Sequence, residues 1–225
     1  ILIENLFLES EVKKLKDSQF IDEDQCSKIT KTLVLPNTNR NLLVRFGFFL
    51  LGSFLYSSID GAIGVLFFQA LENYYQILLF LFAGIGLFGA ELLARSKFYA
   101  HGLDDAFILG FQCCIIAAVS LSFENTTTAF LTMTIAGIFC CVRYVNTISS
   151  ILAMIGIVGF FGTLITEYQL IPMVLLPFLM LLIAVGLYFL YVKLNANSKL
   201  FIYQNGITMI QIFSLLLGYF SVNYL

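Results

Sequence analysis

The chain has 225 residues, 60% of them hydrophobic and only 12% charged, with a mean hydropathy of +0.92. Soluble domains carry about 25% charged residues, so the composition excludes a water-soluble globular domain, and a net charge of −2 gives no basis for binding nucleic acid. That net charge hides an asymmetry: Lys13, Lys14, Lys16, Lys28, Lys31, Arg40 and Arg45, seven of the twelve basic residues, all lie at or before position 45.

Residues 1–42 form the polar section. Leu2, Leu6, Leu8, Val12 and Leu15 fall at helical spacing, as do Ile21, Cys26, Ile29 and Leu33. This predicts two short amphipathic helices, separated at Asp17 and Ser18, with Asp22 capping the second and Glu23 and Asp24 near its positive end. Pro36, Asn37, Asn39 and Asn41 read as a linker. The first residue is Ile1 and no signal-peptide pattern follows, so direct membrane insertion is expected. A hairpin this small buries too little to stand alone. It is expected to dock on its own bundle, on a second copy or on a protein partner.

Seven apolar segments follow, at about Leu43 to Leu71, Tyr74 to Arg95, Asp105 to Phe123, Thr128 to Arg143, Ile148 to Thr166, Pro172 to Val192 and Leu200 to Val222. A span needs about 17 to 25 residues, so the short fourth segment is expected to extend into Tyr144 and Val145. Basic residues fall only at alternate connections: the N-terminal section, Arg95 and Lys97, Arg143, then Lys193 and Lys199. The other connections carry Glu72, Glu124 and Glu167. Such alternation predicts seven spans with the N-terminus in the cytoplasm and the C-terminus outside. The expected fold is an all-α polytopic transmembrane helical bundle over 43–225, preceded by the hairpin, with the lipid bilayer as its solvent. Because Leu225 lies almost flush with the last span, truncation of a longer protein is expected.

Asp60 is the sharpest polar feature. It falls near mid-membrane in the first span, where a carboxylate costs about 2.5 to 3.5 kcal/mol unless it is neutral, paired or wet. Ser57, Ser58, Gly61 and Gly64 beside it favour close helix contact, a local break or a polar pocket. An ion or proton site at Asp60, with Gln69 or Gln112, stands against a structural role in pinning helices; Pro172 and Pro177 would then kink the sixth span. Glu91 and Arg95 have the favourable i,i+4 order for a structural salt bridge. His101, Asp104 and Asp105 lie in an inner loop, with Asp104 placed to cap the third span and a single histidine too few for a metal site.

Gly84, Gly86 and Gly89 spell G-x-G-x-x-G, but inside an apolar helix the pattern reads as small residues for packing, as do Gly156, Gly159 and Gly162. Asn125-Thr126-Thr127 is a glycosylation sequon too close to the membrane to carry weight. Cys26, Cys113, Cys114, Cys140 and Cys141 read as free thiols, and no metal, cofactor or catalytic set assembles from the sequence. The phrase QFIDEDQCSKI, the opening GFFLLGSFLYSS and the loop ARSKFYAHGLDDAFIL resemble bacterial membrane proteins of the domain of unknown function 2157 type. That resemblance implies an all-helical fold in a bacterial inner membrane and transfers no functional residue. Two function classes follow: a structural, sensory or assembly component without catalysis, or a carrier or channel for a small ion or solute using Asp60.

Overall fold

The structure, a computed structural model, describes residues 2–33, 42–67, 74–95, 101–168 and 172–224. Among the described residues every regular element is helical. The hairpin comprises α1 (Leu2–Asp17) and α2 (Glu23–Thr32). The bundle comprises α3 (Leu42–Phe67), α4 (Tyr75–Arg95), α5 (Leu103–Phe123), α6 (Thr126–Tyr144), α7 (Thr147–Tyr168), α8 (Leu176–Asn195) and α9 (Gln204–Asn223). All seven are long and apolar enough to cross a membrane, with α9 extended by the 3₁₀ segment Ser198–Tyr203. The expected seven-span helical bundle is therefore the observed one.

Three boundaries carry physical information. α3 runs unbroken through Ser57 to Gly61, and its serines stay helical by bonding back one turn: Ser53 Oγ donates to Phe49 O at 2.9 Å and Ser58 Oγ to Phe54 O at 2.7 Å. The fourth span reaches 19 residues because Asn125 caps it, its Oδ1 accepting from Thr127 N at 2.7 Å. Pro172 precedes a 3₁₀ turn at Met173–Leu175, and Pro177 sits in the first turn of α8. Neither kinks the sixth span as expected, since the first turn of a helix does not need the missing N–H.

Consecutive helices form three antiparallel pairs, α4 with α5, α6 with α7 and α8 with α9. α5 also packs on α6, α7 on α9, and α3 mainly along α5. Glycines set these distances. A Cβ on Gly86 would lie 2.8 Å from Phe111 N, one on Gly137 2.7 Å from Ala153 N, and one on Gly156 2.7 Å from Thr134 N. Backbones approach this closely only where a side chain is missing. Of the G-x-G-x-x-G glycines, Gly86 and Gly89 face α5, whereas Gly84 meets open space. Tyr56, Ala90, Phe107, Ile108, Cys140 and Tyr144 form the core around α5, and Ala153, Met154, Leu187 and Ile210 form a second one.

The hairpin turns at Gln19, φ 60°, before Asp22, whose N–H donates to Gln25 Oε1 at 3.1 Å as the capping role predicts. Lys16 pairs with Glu23 across the two helices and, by that hydrogen bond, holds the Glu23 carboxyl below its ordinary pKa. α1 meets the bundle at Ser198–Tyr203, where Lys14 Nζ sits 5.5 Å from the centre of the Phe201 ring. The apolar residues are only partly covered: α2 buries none, and Phe20 at the tip is 80% exposed.

Candidate functional site

The principal polar constellation lies at the end of the bundle that carries the hairpin. Asp105, in the first turn of α5, is buried, and a carboxylate in a low-dielectric setting must be paired and hydrogen-bonded to stay ionised. Arg45 from α3 supplies the charge, its Nε 3.0 Å and its terminal nitrogen 2.6 Å from Oδ2. Asn146 supplies the other oxygen's partner, Nδ2 donating to Oδ1 at 2.6 Å. The Asn146 side-chain oxygen, Oδ1, accepts the Ser149 N–H at 3.0 Å at the start of α7. Ser149 Oγ in turn accepts from Gln112 Nε2 at 2.8 Å, and the same amide reaches the α6 carbonyl of Ala136 at 3.5 Å. One connected chain thus ties α3, α5, α6 and α7. Beside it lies a cleft of about 470 Å³ lined by Arg45, Phe46, Phe49, Asp105, Asn146 and Thr147.

Asp104 does not occupy the capping position predicted for it. The residue before α5 is Gly102, with φ 101°, and Asp104 lies inside the first turn, its Oδ1 accepting the Gly102 N–H at 3.1 Å. Glycine is required there twice over: the backbone is left-handed, and a Cβ would come within 2.2 Å of Arg45 O. His101, Asp104 and Asp105 are all buried, and the His101 ring lies 5.5 Å from that of Phe48. Gly102, His101 and Asp105 thus form a seat for the N-terminal end of α3.

Asp60 sits on the seam of α3 with α4 and α5. Its Oδ1 is buried and accepts no hydrogen bond. One turn away, Tyr56 donates to Phe82 O at 2.9 Å and lies 3.3 Å from Cys114 Sγ. Gly61 meets open space, and Gly64 makes an ordinary contact with Phe82. Gln112 directs its Nε2 to α6 and α7 while its Oε1 is buried without a hydrogen bond, and Gln69 lies outside the described residues. The grouping of Asp60 with Gln112 is thus not one of contact by hydrogen bond.

Glu91 and Arg95 pair at 3.1 Å, as their spacing predicts, and Arg143 from α6 joins them at 2.6 Å. At the opposite end Thr127 Oγ1 donates to Glu167 Oε2 at 2.6 Å, so the sequon's threonine fastens α6 to α7 while its asparagine caps. Sequence reasoning missed the pairing of Arg45 with Asp105. The available signal was an arginine placed inside the first apolar run, which demands a carboxylate somewhere nearby. Among the described residues no group of three or more His, Cys, Asp and Glu is arranged to hold a metal, and all five cysteines are free thiols. Compared with family models, with curated proteins and with solved structures, the chain matches none.

Proposed function

We propose that this integral membrane protein is a structural, sensory or assembly component of a bacterial inner membrane, without catalytic chemistry of its own, and that residues 1–42 are its cytoplasmic docking element. The observation that carries this reading is the uncovered hairpin: α2 buries none of its residues, and Phe20 stands 80% exposed at the tip. An amphipathic pair with unspent apolar surface is suited to receive a partner or a second copy. The polar groups of the bundle support the same reading, because Arg45, Asp105, Asn146 and Ser149 are consumed in fastening helices. The alternation of basic connections favours an N-terminus in the cytoplasm and a C-terminus outside. Deleting residues 2–33 is expected to abolish co-purification of a partner or to lower the oligomeric state, leaving the bundle folded. Unchanged partners and unchanged oligomeric state in the deletion would remove this reading.

A carrier or channel for a small ion is the second reading, favoured by the buried, unbonded Oδ1 of Asp60. A cation bound there at 100 times its Kd would stabilise the wild type by about 2.7 kcal/mol. Thermal unfolding of the wild type and Asp60→Asn across a panel of cations separates the two: stabilisation by one cation, lost in Asn, promotes the carrier. No response in either protein leaves Asp60 a buried acid and the docking reading ahead.

A further inference from the structure

Between α6, α7, α8 and α9 runs a groove of about 430 Å³, inside the range of about 300–1,000 Å³ usual for small-molecule sites. It lies at the hairpin end of the bundle. Its wall is aliphatic, with Met154 and Ile157 from α7, Leu190 and Leu194 from α8, and Ile207 and Ile210 from α9. The polar side chains that reach it are engaged with the protein: Cys141 Sγ and Ser150 Oγ lie 3.0 Å apart, and Tyr203 donates to Val142 O at 3.2 Å. A polar ligand would lose its water there without regaining hydrogen bonds, whereas an alkyl chain has none to lose.

The groove's opening also selects the occupant. Ile138, Val142 and Leu190 line it and are exposed on the outer face of the bundle, so it opens sideways toward hydrocarbon. From Ser150 to Ile157 the lining climbs about 10 Å at 1.5 Å per residue, the headgroup-proximal part of one leaflet in a core about 30 Å thick. Basic residues neighbour the lining in sequence or sit over a ring beside it. Lys193, next to the lining Leu194, is exposed and forms no ion pair among the described residues. Lys14, which also pairs with Glu11 at 2.7 Å, sits over Phe201, between the lining residues Leu200 and Tyr203. Arg143, next to the lining Val142, is held by Glu91. We propose that the groove is a binding site for the acyl chain of an anionic phospholipid, whose headgroup phosphate rests against Lys193 and Lys14. Anionic headgroups are drawn to basic residues at this level of the membrane.

The test is photolabelling of the full chain in phosphatidylcholine vesicles doped with phosphatidylglycerol that carries a diazirine near its ester group. A parallel sample carries the same group on phosphatidylcholine. Label from the phosphatidylglycerol is expected on Ile157 and Ile207 at several times the level on Leu51 and Phe54, exposed residues of α3 that report bulk lipid. Leu190→Trp, at the exposed rim where folding is not at stake, is expected to cut the groove label several-fold and leave the α3 label unchanged. Lys193→Gln is expected to bring the phosphatidylglycerol label down toward that of phosphatidylcholine. Groove label no stronger than α3 label, or full label retained in Leu190→Trp, would overturn the site. Equal labelling by the two lipids in the wild type would overturn the anionic headgroup.

Discussion

Asp105 and Asp60 both enter the apolar body of this protein, and their surroundings differ in kind. Asp105 receives Arg45 and Asn146 from two other elements, whereas Asp60 Oδ1 receives nothing. The sequence ranks them the other way round. Asp60 stands out because it interrupts an apolar run, while Asp105 looks like one more charge at a helix start. Its role rests on Arg45, 60 positions earlier, and no local spacing rule links residues so far apart. The Glu91–Arg95 pair is legible because a helix itself brings i and i+4 together, but its third member, Arg143, is 52 positions from Glu91. Asp105→Ala is expected to lower stability by about 2 kcal/mol, the scale of hydrogen bonds to charged groups, discounted because the Arg45 side chain remains half exposed. Asp105→Asn, which keeps one of the two acceptor oxygens, should lose less. Thermal unfolding in detergent measures both, and a loss no larger than that of Asp17→Ala in the exposed turn would contradict the network's role.

At the scale of single helices, hydropathy locates every span, because about twenty apolar residues have few other uses. Helix ends are less legible. The start of α6 is set by Asn125, a residue that first reads as part of a sequon, and the start of α8 by Pro177, which first reads as a kink. Glycine repeats announce close packing without saying on which side. Gly137 and Gly61 separate the two cases, for a Cβ at the first meets the Ala153 backbone at 2.7 Å and at the second meets nothing within 4 Å. Gly137→Ala is therefore expected to force α6 and α7 apart at a cost of about 1–3 kcal/mol. Gly61→Ala should be neutral or stabilising by up to about 1 kcal/mol through helix propensity. Unfolding midpoints of the two variants against wild type check this, and equal effects would show that the α6–α7 approach does not depend on the missing side chain.

For the whole molecule, the number of spans was legible because about twenty apolar residues in a row mark each one. Which helix touches which was not, since apolar faces in lipid carry little mark of their partners. The proposed orientation has a natural reporter in Cys26, the one cysteine outside the spans, half-buried on α2. A membrane-impermeant maleimide is expected to modify it in inverted membrane vesicles and to leave it untouched in intact spheroplasts; the reverse pattern would invert the topology. The placement of α3 has a consequence in time. It packs along α5 and only lightly on α4, so its neighbour in space is not its neighbour in synthesis. At about 5–20 residues per second, the 60 residues from Arg45 to Asp105 take the ribosome roughly 3 to 12 s. Throughout that interval α3 is a helix awaiting its seat, with a guanidinium that α4 does not satisfy, and the emergence of α5 is the event that ends the wait.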